Sequence, residues 1–199
     1  MVQRQDFTRP QPDPKGDATA RVVFVSVGYA LSQWEHAEEV LASLYSFLAS
    51  PARNSHASFR AYGTLMATRP RRLMIEAAAD VFFTNFPDPD LPSRLTALLT
   101  IYADAGARRN EIAHGVVMGS SKQTAQNSYD EVFTDWFLVP ALHNTNKTSN
   151  RLEAEYRFNS ITIDRFAESF DKLIADIIDL KQQIVAFYQS LPQTLREQY

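Results

Sequence analysis

The stretch Ala107-Arg-Arg-Asn-Glu-Ile-Ala-His-Gly-Val-Val117 places two arginines, an amide, a carboxylate and an imidazole at the end of an apolar-periodic run, directly before a glycine. Upstream of it, Leu95, Leu98, Leu99, Tyr102, Ala105, Arg109 and Ile112 share one broad face at helical spacing, which predicts an amphipathic helix. Pro92 and Ser93 suit its first turn, and Gly115 suits its stop. Arg109 then falls in the last turns and His114 at the exit. Nowhere else does the chain gather so many chemically capable groups.

The neighbouring segments extend the helical reading. From about Val22 to Ser50, the residues Val27, Leu31, Trp34, Leu41, Leu44, Tyr45 and Leu48 recur at mostly three- and four-residue steps, and Pro51 closes the run. Glu35, His36, Glu38 and Glu39 read as its solvated face, since adjacent helix positions point apart. A further helix from about Arg71 to Phe83 stops at the turn residues Asn85-Phe-Pro-Asp-Pro-Asp90. The clearest helix of all starts near Thr162 or Asp164 and carries Phe166, Phe170, Leu173, Ile174, Ile177, Leu180, Ile184 and Tyr188. Before it, Val116 to Ser128 reads as a polar rim loop. Phe133 to Leu142 and Ala154 to Phe158 read as the two strands of a hairpin, separated by Asn144 to Asn150. Residues 1–20, with Pro10, Pro12, Pro14 and Gly16, read as a flexible lead-in. The expectation is an all-α domain over residues 21–199, a bundle of four or five helices with a small inserted β-hairpin.

Composition bounds the partners. The chain has 199 residues, of which 45% are hydrophobic and 22% charged, enough for one domain with a real core. A formal charge of −3 gives no global attraction to nucleic acid, so any RNA contact needs a local patch. Residues 51–72 supply a candidate, holding Arg53, Arg60, Arg69, Arg71 and Arg72 and no acidic residue. That segment is either a solvated helix-loop-helix surface or a phosphate-facing wall. On the second reading Arg69, Arg71 and Arg72, with Arg108, are the RNA contacts. The chain has no cysteine, which excludes disulfides and thiolate metal sites. A polar, Pro-rich N-terminus is not a secretory signal, and the apolar run Val22 to Leu31 falls short of the roughly 20 residues of a membrane span. A soluble cytoplasmic protein with no membrane partner is expected, and the sequon at Asn146-Lys-Thr148 then carries no meaning.

Cleaving RNA through its own 2′-hydroxyl needs a base for the hydroxyl proton and positive charge for the pentavalent phosphorane. His114 is the candidate base, as histidine commonly serves in proton transfer, and the fork of Arg109 matches phosphate oxygens in pairs. Asn110 can orient the imidazole or donate to phosphate. This chemistry requires no metal and no cofactor. On a regular helix, however, positions five apart point about 140° from one another. Arg109 and His114 can therefore converge only if the helix unwinds before Gly115, if the arginine reaches round, or if a second subunit completes the cleft. The plainer alternative is a helix cap, with His114 on the C-terminal dipole and Arg109 on a surface carboxylate.

The pattern Arg109-Asn110-x-x-x-His114-Gly115 resembles the signature of HEPN domains, small helical domains that often act as metal-independent ribonucleases. A first long helix with Gln33-Trp34-Glu35 at its middle and a long closing helix extend the resemblance over roughly residues 22–190. It implies a homodimer whose two motif-bearing helices line one cleft, cutting single-stranded RNA to a 2′,3′-cyclic phosphate. Arg109 and His114 would be catalytic, and Asn110 the polar residue that follows the arginine. Some HEPN members resemble toxins paired with an antitoxin or act in defence, and others are non-catalytic modules that bind a protein partner or nucleotide. The low overall charge and the hairpin insertion depart from the family pattern.

Other constellations are weaker. Glu111-Ile-Ala-His114 is half of a di-iron carboxylate arrangement with no second copy in the chain. No glycine loop has phosphate-binding spacing. Trp34 and the phenylalanines read as core, whereas Trp136 on the expected hairpin is a candidate exposed contact.

Overall fold

The computed structural model describes residues 7–51, 56–121, 133–141 and 154–196. Among these, the elements follow in the order α1 (Ala20–Ala49), α2 (His56–Gly63), α3 (Thr68–Asn85), α4 (Leu91–His114), β1 (Gly115–Ser121), β2 (Phe133–Pro140), α5 (Ser160–Ser190) and α6 (Gln193–Arg196). The fold is mostly helical with one small antiparallel sheet. The chain divides into two compact units. One holds Glu35–Gly106 and Asp171–Tyr199, the other Asp6–Trp34 and Ala107–Phe170.

The first unit is all helix. Its aromatic centre is Phe82 of α3, whose ring lies 6.1 Å from Phe47 of α1 and 6.2 Å from Tyr188 of α5. Phe86, just past α3, packs edge-on to Tyr188 at 5.2 Å. Rings in these tilted and T-shaped arrangements bury large apolar area and add about 0.5–1.5 kcal/mol per pair.

Glu38 corrects the expectation of a solvated carboxylate, being only 5% exposed. Position 38 lies on the same helical stripe as Trp34, Leu41 and Tyr45, so burial of that stripe carries the carboxylate inward. A buried charge persists only if it is paired and hydrogen-bonded. Tyr62 and Tyr102 donate their hydroxyls to Glu38 at 2.8 and 2.9 Å, and the Arg71 guanidinium lies 2.9 Å away.

The second unit is built around β2. Its pairing with β1 runs from Gly115↔Pro140 to Ser121↔Phe133. A small antiparallel pair ahead of the last long helix is present as expected, but its strands differ from those read in the sequence. Residues 116–121, read as loop, form the partner strand, while the 154–158 segment contributes one bridge, Leu138↔Phe158. The sequence hid β1 because Val116, Val117 and Met118 are its only apolar residues, and its strand character comes from docking beside the buried run Phe137-Leu138-Val139. The remainder of the expected rim loop (122–128) and the turn at 144–150 lie outside the described residues.

The described part of the lead-in, expected to be flexible, is pinned within this unit. Phe7 is buried and stacks on Phe170 at 5.7 Å, while Trp34 meets Phe170 edge-on at 5.6 Å. Asp17 exchanges two backbone hydrogen bonds of 2.9 Å with Trp136. At Gly16 a Cβ would fall 2.7 Å from the Trp136 backbone, so only glycine fits that approach. The Asp17 carboxylate accepts from the Ser160 amide at 2.7 Å and from its hydroxyl at 2.6 Å, and Asn159 caps Thr162 N–H at 3.0 Å. These contacts supply acceptors to the first turn of α5, which accordingly begins at Ser160, ahead of its apolar periodicity.

Candidate functional site at the exit of α4

Helix α4 stays helical through His114 and passes directly into β1 at Gly115. There a Cβ would meet the Leu138 side chain at 2.7 Å and the Glu111 carbonyl oxygen at 3.0 Å, so any larger residue would have to displace Leu138 and the helix end, which favours glycine at the junction. The helix does not unwind before Gly115, which removes one of the three routes by which Arg109 and His114 could meet.

Ile112 is 1% exposed and fixes which side of the helix faces inward. Steps of about 100° per residue then assign the rest. Arg108 lies near the inward side, Glu111 to one flank and Arg109 to the other. Asn110 and His114, about 40° apart by the same geometry, share the outward row, and both are exposed.

Half of the motif closes on itself. The Glu111 carboxylate, on a side chain 10% exposed, lies 3.0 Å from Arg108 Nη1, and Arg108 is itself 11% exposed. Arg9 donates its Nε to the same carboxylate at 2.7 Å and forms a further ion pair with Glu155. Tyr156 donates its hydroxyl to the Glu111 backbone carbonyl at 2.9 Å. Burial, aided by the Glu111 charge, pushes the Tyr156 phenol up to about 12. Arg108, a candidate RNA contact by sequence, thus faces a carboxylate.

The other half faces outward. Arg109 is half-buried, and its Nη1 donates to Asn110 Oδ1 at 3.3 Å. Asn110 is thereby the link between the guanidinium of Arg109 and the row that holds His114. An exposed imidazole can act in proton transfer, and the Arg109 guanidinium, on a different side of the helix, can hold a phosphate oxygen.

No family model, curated protein or solved structure matches the chain.

The basic segment is dispersed. Arg69 is exposed at the start of α3, Arg71 is engaged by Glu38, and Arg72 pairs with Glu76 one turn along at 2.7 Å. Arg53 lies outside the described residues. A cavity of about 570 Å³ in the helical unit is lined by Val40, Phe59, Ile178 and Val185 together with Lys181 and Glu39, and no motif residue lines it. Among the described residues no three or more His, Asp or Glu side chains group as a metal could require, and no helix is long and apolar enough to cross a membrane. Trp136 is half-buried, its backbone bonded to Asp17.

Sequence reasoning missed Arg9, Tyr156 and the pairing role of Glu111. No local signal marks Arg9, because its partner lies 102 positions away. Glu38 did leave a signal, namely a carboxylate on an apolar stripe.

Proposed function

We propose that the exit of α4 handles a phosphodiester, and that the protein is a HEPN-like, metal-independent endoribonuclease acting on single-stranded RNA. The carrying observation is the outward row of Asn110 and His114, with the Arg109 guanidinium drawn to Asn110 at 3.3 Å. In this reading the His114 imidazole takes the proton of a 2′-hydroxyl. The 2′-oxygen attacks the adjacent phosphorus, the bond from phosphorus to the 5′-oxygen breaks, and that oxygen leaves with a proton from solvent. The products are a 2′,3′-cyclic phosphate and a 5′-hydroxyl. Arg109 holds the non-bridging oxygens, where charge gathers in the transition state. Because α4 is regular, Arg109 and His114 diverge by about 140°. A second copy, presenting its own motif across the cleft, would complete the set.

The test is incubation of purified protein with single-stranded RNA in excess chelator. Cutting should yield cyclic phosphate ends and fall by roughly 10²–10⁴-fold in His114→Ala, the usual worth of a positioned acid or base. Undiminished cutting by His114→Ala, in a variant with unchanged circular dichroism, would overturn the assignment.

A second reading has its own support. Arg108 and Glu111 close on each other and on Arg9, so half of the motif holds the unit together. On that reading the protein is a non-catalytic HEPN-like module that binds a protein partner or nucleotide. Absence of cutting together with retained binding of labelled nucleotide or RNA favours it.

A further inference from the structure

Helix α1 carries an outward face whose pattern matches itself. From Val22 to Trp34 it has no charged residue, and Val22, Phe24, Val25 and Tyr29 are exposed, Phe24 by 60% and Val25 by 64%. At the middle of this face stands Gly28. A side chain there would meet nothing within 4 Å. Glycine weakens a helix interior, and no close approach among the described residues accounts for it. A glycine ringed by exposed large apolar groups is what a helix needs when another backbone crosses close against it.

The charges say which backbone. Arg21 and Glu35, both exposed, stand seven positions before and seven after Gly28, and a step of seven returns to nearly the same side of a helix. In an antiparallel crossing about a two-fold axis at Gly28, position 28 plus n of one chain meets position 28 minus n of the other. Arg21 then opposes Glu35 of the second copy, twice over. Phe24 opposes the small Ser32 in the same way. An isologous pairing of this kind needs one surface to be its own complement, and this face meets that condition in size and in charge.

We infer that the face of α1 centred on Gly28 is a homodimer interface, with a second copy of this chain crossing antiparallel at that residue. The inference goes beyond the phosphodiester reading and uses none of its residues. A single-chain mass would remove both this interface and the second-copy cleft, whereas a dimer indifferent to Gly28→Leu removes this interface alone, and absence of RNA cutting in a Gly28-dependent dimer removes the phosphodiester reading alone.

The test is light scattering or sedimentation of the whole chain from about 1 to about 100 μM, a range that fills even weak interfaces. The unaltered protein should approach twice its 22.5 kDa. Gly28→Leu should hold it at the single-chain mass while leaving helical content unchanged. Arg21→Glu and Glu35→Arg should each loosen the dimer by roughly tenfold, and the two together should restore it. The chain has no cysteine, so Gly28→Cys should cross-link to itself rapidly on mild oxidation, whereas Val81→Cys on exposed α3 should not. A single-chain mass throughout overturns the inference. So does a dimer indifferent to Gly28→Leu and to charge reversal. If Gly28→Leu alters the fold, the charge pair and the cysteine decide.

Discussion

The Tyr62 hydroxyl donates to the Glu38 carboxylate at 2.8 Å, joining α2 to α1 across 24 positions of sequence. With Tyr102 and Arg71 on the same group, this is a satisfied buried charge, and such networks fail sharply when one member is removed. Tyr62→Phe or Tyr102→Phe should each cost about 1.5–3 kcal/mol, as for hydrogen bonds to a charged partner. Glu38→Ala leaves the part-buried Arg71 guanidinium without its counter-charge and the Tyr62 and Tyr102 hydroxyls without their acceptor, and should cost about 3–5 kcal/mol. Urea unfolding of the variants checks both values, and a loss below 0.5 kcal/mol (about the error of the method) in all three refutes the network.

The same tyrosines set the alkaline limit. Burial, reinforced by the Glu38 charge, raises the phenols of Tyr62 and Tyr102 above their ordinary range, and burial with the Glu111 charge raises Tyr156 to about 12. A group whose pKa is higher in the folded chain stabilises it fully below the unfolded value, here about 10. That contribution is lost as pH climbs from there through the folded value. Stability should hold flat up to about pH 9.5 and drop steeply above 10. Phenolate absorbance should rise together with unfolding, and a smooth rise of all eight tyrosines near pH 10 in still-folded protein speaks against the burial described.

The pinned lead-in should matter to the second unit. Asp17→Ala removes two acceptors from the first turn of α5 and should cost about 1–2 kcal/mol, as for lost helix caps. Gly16→Ala brings a methyl against the backbone of Trp136, which has little room to give, and should cost about 1–3 kcal/mol. Thermal melts decide. Neutral behaviour of both variants would mean that the segment is not held as described.

Gly28→Ala should act with the opposite sign on the isolated chain. With open space around it and a helix interior on either side, the added methyl should stabilise by about 0.8–1 kcal/mol. The measurement belongs at low micromolar concentration, so that gain in the single chain is not confused with loss of association.

Much of the helical layout was legible because it is local. The apolar period placed α1, α3, α4 and α5 within a few residues of their ends, and Gly115 marked where α4 stops. The expectation failed where structure depends on distant partners. β1 has too few apolar residues to announce itself, and Phe7, Arg9 and Asp17 find their places only against residues more than a hundred positions on. In the motif, the sequence showed which groups are present at the helix end. It could not show that Glu111 draws Arg108 inward while Asn110 and His114 stay outside, because that division follows from burial of Ile112 and from Arg9 arriving out of the lead-in.

The closure of Asp17 on Ser160 and Trp136 has a temporal corollary. On a ribosome, Asp17 emerges long before Trp136, its backbone partner, and longer still before Ser160, which its carboxylate meets 143 positions later. The far side of β2 must wait for an early-made segment to fold back over it. Docking of residues 7–17 should accordingly be a late step of folding, slowed by the length of loop it encloses, and Trp136, which receives that segment, is the natural fluorophore to time it.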